Sequence, residues 1–469
     1  MRLSSTILSA AALAWATGVL AAQPATMRLD YIHSGNALSE QYAIDRVVVE
    51  PLPWPGDMTR TLDDTNRGVN MVEVVDAKTG KLLYSRGFST VFGEWKSTEE
   101  AGKLTRAFGE SVRFPQPAAP VKVRILKRDE RNQFSVVWSV EVDPDALDVV
   151  RKQPPAPAKP IPLRVSGPSP RKVDLLIIGD GYTRAELGKF EKTAKRLAEH
   201  LFAVSPFKER AQDFNVWGLA VPTEESGISR PSTHTHHASP LNTRYDIFGS
   251  ERYVLTTDNR ALRDIAQYAP YEFIEILVNN DTYGGGGIYG QFSTAAADND
   301  WANYLFVHEF GHHFAGLADE YYTSPVAYQA ASGRPEPWEP NATADPVHPK
   351  WLRHVTSGTP LPTPWPKAEY EAHSREYQKI RAQLRKENRP EGEMSKLFKE
   401  DLAWTSALFA RAPHAHAVGA FEGANYEATG YYRPAQQCLM FDRSDAFCAV
   451  CAEAIGQTID LYSRTKEQK

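Results

Sequence analysis

The chain has 469 residues, 42% of them hydrophobic, enough for more than one buried core. A net charge of −5 with no basic stripe argues against a nucleic-acid partner. No segment beyond the N-terminus is long and apolar enough to span a membrane.

The N-terminus reads as a cleavable secretory signal over residues 1–22. Met1-Arg2 supplies the basic start, Ile7 to Leu20 the apolar core, and Ala21-Ala22 the small-residue cleavage site. No cysteine follows that site, so a lipid anchor is not expected, and the expectation is a periplasmic or secreted protein. Residues 23–150 then read as strands: Asp45 to Glu50, Val69 to Val75, Val121 to Leu126 and Gln133 to Val142, with turn residues between them. Long helical patterns are scarce there, which predicts a β-sandwich. A proline-rich linker is predicted over 151–168, centred on Lys152 to Pro160.

The second domain, 169–469, opens on the buried strand Val173 to Ile178 and an amphipathic helix from Ala185 to Phe202. Strands at Phe214 to Val221 and Tyr271 to Val278 enclose a helix from Ala261 to Tyr268, the alternation of an α/β unit. Tyr283 to Tyr289 holds four consecutive glycines but lacks the ending of a phosphate loop. A glycine-rich strand there would let a substrate backbone approach closely. His234-Thr235-His236-His237 falls in a polar loop, where solvation is the simpler reading.

His308-Glu309-Phe310-Gly311-His312 carries the chemistry. On a helix the two histidines, four residues apart, share one face and can grip a zinc ion, while Glu309 reaches a water on the same metal as general base. Asp298-Asn299-Asp300 could cap that helix, and Gly316 can end it and turn the chain back. Asp319 is the first choice as third ligand, with Glu320 in reserve or orienting a histidine. His313 is assigned to packing. The run is similar to the metzincin pattern, except that the glycine and the acidic residue each fall one position later. Glu336 and Glu339 are weaker rivals, because the prolines around them forbid a regular ligand helix.

Downstream, Tyr370 to Asn388 reads as a charged surface helix in an insertion around 365–410, a candidate lid. Met440 is placed in a methionine turn beneath the metal, ahead of a helix from Ala446 to Leu461. Tyr432, Tyr426 and Arg433 are the candidates for the donor that stabilises the developing oxyanion. Cys438, Cys448 and Cys451 predict one disulfide and one free thiol in an oxidising compartment, with Cys438 bonded to either of the others. A structural zinc there would need a fourth ligand that the pattern does not supply.

Taken together, these runs resemble the bacterial secreted metallo-endopeptidases named after an IgA-cleaving member. The likeness rests on His308 to His312 with Gly316 to Tyr321, Tyr283 to Tyr289, Phe421 to Ala424, Tyr432 to Pro434, Cys438 with Met440, and Cys448 to Cys451. It spans roughly Val173 to Ile459, and the stretch before it looks like that family's N-terminal domain. The resemblance implies a zinc endopeptidase acting on polypeptides, with an α+β multidomain fold: a β-sandwich followed by a metzincin-like α/β domain. It does not imply that IgA is cleaved. Two alternatives stand beside it: a zinc amidase acting on peptidoglycan or another non-protein amide would use the same zinc chemistry, and a catalytically idle cell-surface binding protein would reuse the fold.

Overall fold

The computed structural model describes residues 23–328 and 333–463. The signal-peptide reading at 1–22 lies outside the described residues.

The N-terminal region pairs β1 (Ala25–Gly35), β2 (Glu40–Pro53), β3 (Asn70–Asp76), β4 (Leu82–Phe88), β5 (Arg106–Pro115), β6 (Val121–Arg128) and β7 (Phe134–Val142) into two antiparallel sheets, with a short helix α1 (Val91–Lys96) between β4 and β5. One sheet has the order β2-β1-β5 and the other β4-β3-β6-β7. Met27, Leu29 and Phe114 from the first sheet share a core with Val72, Val123 and Ile125 from the second. The alternation of inward apolar residues along each strand makes that possible.

This domain is docked firmly rather than hung on its linker. Phe92 and Trp95 of α1 belong to the hydrophobic core of the second domain. Arg28, fully buried, reaches Asp264 at 2.6 Å, and Arg67 donates to the carbonyls of Ala315 and Ala454 at 3.2 and 2.9 Å. The linker is also shorter than its prolines predict. Residues 161–164, counted within it, form strand β8 (Ile161–Arg164) at the edge of the next sheet.

That sheet is mixed, with β9 (Val173–Asp180), β10 (Phe214–Ala220), β11 (Phe273–Val278), β12 (Gly285–Ile288) and β13 (Phe292–Ala296) in the order β12-β13-β11-β9-β10-β8. Its four inner strands are parallel, and both outer strands run antiparallel to their neighbours. Every residue of β9 is buried, as its unbroken apolar run requires. Two helices introduced by the same alternation are α2 (Leu187–Leu201) and α3 (Asn259–Ala266).

Helix α4 (Ala302–Ala315) carries the metal motif and is apolar nearly all round. Phe310 lies 4.9 Å from Phe314 and 5.6 Å from Phe207, ring centre to ring centre. Burying side chains of that size contributes about 1.5–3 kcal/mol each, so α4 is a rigid platform. The acidic cluster before it does not cap it. The helix begins after Trp301, while Asn299 accepts from the Trp301 N–H at 2.8 Å and so shapes the preceding turn.

The remaining elements close the far side. Helices α5 (Lys367–Lys386) and α6 (Glu391–Ala410) form the insertion, β14 (Phe421–Ala424) and β15 (Glu427–Arg433) a hairpin, and α7 (Ala449–Tyr462) the last helix.

Candidate active site

Four residues along one face of α4 bring His308 Nε2 within 3.2 Å of His312 Nε2. Gly316, at φ 62°, ends the helix with its N–H bonded to the His312 carbonyl at 3.0 Å. Left-handed backbone costs glycine nothing. The chain then returns, and Asp319 Oδ1 stands 3.1 Å from His308 Nε2 and 3.2 Å from His312 Nε2. Three ligand atoms about 2.0–2.1 Å from one tetrahedral ion would be separated by about 3.3 Å. The observed triangle matches that spacing.

The far sides of these three side chains are held. His308 Nδ1 is 3.0 Å from the Leu439 carbonyl and 3.0 Å from the Tyr304 hydroxyl, and His312 Nδ1 is 2.6 Å from the Leu317 carbonyl. A proton donated to these carbonyls from Nδ1 leaves each Nε2 lone pair facing the triangle, the tautomer a metal requires. Asp319 Oδ2 accepts from the Tyr426 hydroxyl at 2.6 Å, while Oδ1 is buried without a hydrogen-bond partner. An orphaned carboxylate oxygen beside two imidazole lone pairs is the donor set of a cation site. Burial would raise the Asp319 carboxyl, yet the neighbouring imidazoles hold it well below the usual range. Burial pushes Glu309 up, against the pull of both histidines.

Met440 lies beneath this platform, fully buried, and a Cβ placed on Gly311 would meet its sulfur at 3.1 Å. Because Leu439 precedes it, the same turn also orients His308. Glu309 lies half-buried in a cleft of about 520 Å³ whose lining includes His308, His312, Asp319, Tyr321 and Tyr426.

The family profile described as IgA Peptidase M64 matches residues 161–459, and the profile described as Peptidase M64 N-terminus matches 21–139. The chain belongs to the IgA peptidase M64 family. It is a metallo-endopeptidase, and its substrate is a polypeptide. No curated protein matches the chain.

Other walls of the M64 cleft come from distant segments. Ser89, Thr90 and Glu94 enter from the N-terminal domain, Arg252 and Tyr253 from the loop before α3, and Tyr377, Asp401 and Thr405 from α5 and α6. The insertion is therefore a cleft wall as well as a surface. Among the cleft residues that sequence reasoning missed, only Tyr304, one turn before His308, is within reach of helical spacing. Arg252, Tyr253, Tyr328 and Glu94 carry no local motif.

The sequence candidates divide. Tyr426 is in the site, its hydroxyl bonded to Asp319 rather than free for substrate. Tyr432 is not among the cleft-lining residues; its backbone pairs with Thr343 on the neighbouring chain segment. Arg433 is fully buried, its guanidinium 3.9 Å from the Phe441 ring and bonded to the Gly423 carbonyl at 2.7 Å. It staples the hairpin. His313 is packing: its Nδ1 meets the Ile288 carbonyl at 3.1 Å and its Nε2 accepts from Ile274 at 3.1 Å. Glu336 is engaged with Thr343 and Ala344, whereas Glu339 lines the cleft. None of His234, His236 and His237 lines it.

The glycines of β12 serve the helix. A Cβ on Gly287 would lie 2.4 Å from the Glu309 carbonyl oxygen, and one on Gly285 would lie 3.0 Å from Glu309 Cγ. Their lack of side chains lets the strand press against α4 at the motif itself. The outer edge at Gly285 is already paired with Tyr253, so an incoming backbone has no place there.

Proposed function

We propose that this M64 peptidase is a secreted, zinc-dependent enzyme in which His308, His312 and Asp319 hold the metal and Glu309 is the general base. The observation that carries the reading is the 3.1–3.2 Å triangle of His308 Nε2, His312 Nε2 and Asp319 Oδ1, with its orphaned oxygen. Nitrogen and carboxylate donors on three corners suit zinc with one position open. Bound there, zinc would acidify a water and polarise the scissile carbonyl.

Glu309 follows His308 directly; its Cγ lies 3.0 Å from where a Gly285 Cβ would stand on β12, and its ligand atom lies within 4.8 Å of those of both histidines. Its carboxylate accepts the proton of the attacking water and delivers it to the leaving amine. Burial raises its pKa, against the pull of His308 and His312. Tyr426 positions Asp319 through its 2.6 Å hydrogen bond. Secretion is inferred from the basic and apolar pattern of residues 1–22. Among the described residues no helix is long and apolar enough to cross a membrane.

The test is metal content of purified protein, wild type beside Asp319→Ala, with cleavage of a peptide library followed in parallel. Zinc bound at the histidine site and lost in the variant, together with zinc-dependent cleavage, is expected. A histidine site that takes up no zinc after reconstitution overturns the proposal.

A further inference from the structure

Glu320 turns away from Asp319, to the opposite side of the chain. It meets Cys438, Cys448 and Cys451 in a cluster whose ligand atoms all lie within 4.8 Å of one another. Glu320, Cys438 and Cys451 are at most 1% exposed, and Cys448 is half-buried. Cys438 Sγ and Cys451 Sγ are 3.8 Å apart, and Cys451 Sγ is 3.3 Å from Glu320 Oε1. Glu320 Oε2 is buried with no hydrogen-bond partner.

We propose that these four side chains form a second, structural zinc site, closed to substrate and built from three thiolates and one carboxylate. Sulfurs about 2.3 Å from a tetrahedral zinc are about 3.8 Å apart, the separation seen between Cys438 and Cys451. The surroundings are those of thiolates. Cys448 N–H points at Cys438 Sγ at 3.3 Å, and Cys451 N–H at Cys448 Sγ at 3.5 Å. Cys448 is also the N-cap of α7, where the helix dipole favours negative charge. Asn341 holds Glu320 Oε1 at 3.0 Å, the orienting bond that a ligating carboxylate needs.

A disulfide explains less. Any single pairing leaves the third thiol beside a buried, half-satisfied carboxylate, which is costly in a low-dielectric interior. A dication uses all four groups. The site would join three segments: the turn after Asp319, the methionine turn and the last helix. Glu320 N–H already bonds the Met440 carbonyl at 2.9 Å, so the second ion would sit behind the floor of the first site.

The experiment is zinc stoichiometry and zinc-edge X-ray absorption on the wild type and on His308→Ala/His312→Ala, with intact mass of both. About two zinc ions per chain are expected in the wild type, and about one in the double variant, with sulfur neighbours at about 2.3 Å. Should the double variant not fold, sulfur in the wild-type zinc shell makes the same point. A wild-type shell of nitrogen and oxygen alone overturns the proposal. So does a mass lower by two hydrogens with only one alkylatable thiol after denaturation, which would establish the disulfide. A single, sulfur-bound zinc would support this site while failing the histidine one.

Discussion

The Tyr426 hydroxyl donates to Asp319 Oδ2 at 2.6 Å, and Asp319 Oδ1 faces His308 and His312. One carboxylate is thus divided between a bond to the tyrosine and an oxygen turned to the two imidazoles. Tyr426 itself is held at φ 66°, outside the backbone region that a bulky side chain prefers. Such backbone persists where surrounding structure requires it. Removing the hydroxyl should loosen the ligand without removing it. Tyr426→Phe should weaken metal affinity at the histidine site about 10–100-fold, measured by competition with a chelator. Unchanged affinity would show that the bond orients nothing.

In the proposed mechanism Glu309 serves the chemistry rather than metal retention. Glu309→Gln keeps the size of the side chain, and turnover of a peptide substrate should fall about 10²–10⁴-fold or more with the metal still bound. Near-normal turnover in a metal-loaded preparation would remove Glu309 from its role.

The glycines at the strand–helix contact differ in what surrounds them. Gly287→Ala drives a Cβ against the Glu309 carbonyl, backbone that no rotamer change can move. It should cost about 1–3 kcal/mol in thermal or denaturant unfolding. Gly392, in α6, has nothing within 4 Å of where a methyl group would stand, and Gly392→Ala should be neutral or add up to about 1 kcal/mol. Equal effects of the two substitutions would contradict the close-contact explanation.

Docking of the N-terminal domain has a thermodynamic signature. Trp95, fully buried within the core it shares with the second domain, should cost about 3–5 kcal/mol as Trp95→Ala. Both domains should lose stability together in calorimetry. A shift confined to one of two separate transitions would mean that the domains unfold independently.

His33 gives the N-terminal domain a pH response. It is 2% exposed, with Nδ1 at 3.1 Å from Glu110 and Nε2 at 3.1 Å from Glu40. Burial works against its charge, but the bonds to Glu110 and Glu40 raise its pKa overall. A raised histidine stabilises the fold fully below about pH 6.5 and loses that contribution as pH rises through the folded value. The melting temperature of the wild type should therefore fall more than that of His33→Asn between about pH 6 and pH 9. Parallel curves would exclude the histidine as the source.

Local pattern was enough for the parts of this protein that are themselves local. His308, Glu309 and His312 lie within one helical turn and a half, and Gly316 and Asp319 follow closely, so spacing alone determined that the two histidines share a helix face, where the helix ends and which acidic residues follow the turn. The strands of the first domain and the long buried strand β9 were legible for the same reason, since burial imposes its period on the sequence. The linker is shorter than its composition suggests because Pro160 and Pro162 border and enter a strand that pairs only when β10 is in place. The rest depends on contacts between segments far apart in the chain. Tyr426 reaches Asp319 across 107 residues, and Glu320 reaches Cys451 across 131. Tyrosines and acidic residues are common, so nothing local distinguishes the ones that converge from the ones that do not. Tyr432 and Arg433 show the converse, since neighbours six and seven positions past Tyr426 point elsewhere once the hairpin forms. Only packing of α4, the methionine turn and α7 around one another decides which of these side chains face the cleft and which face the thiols.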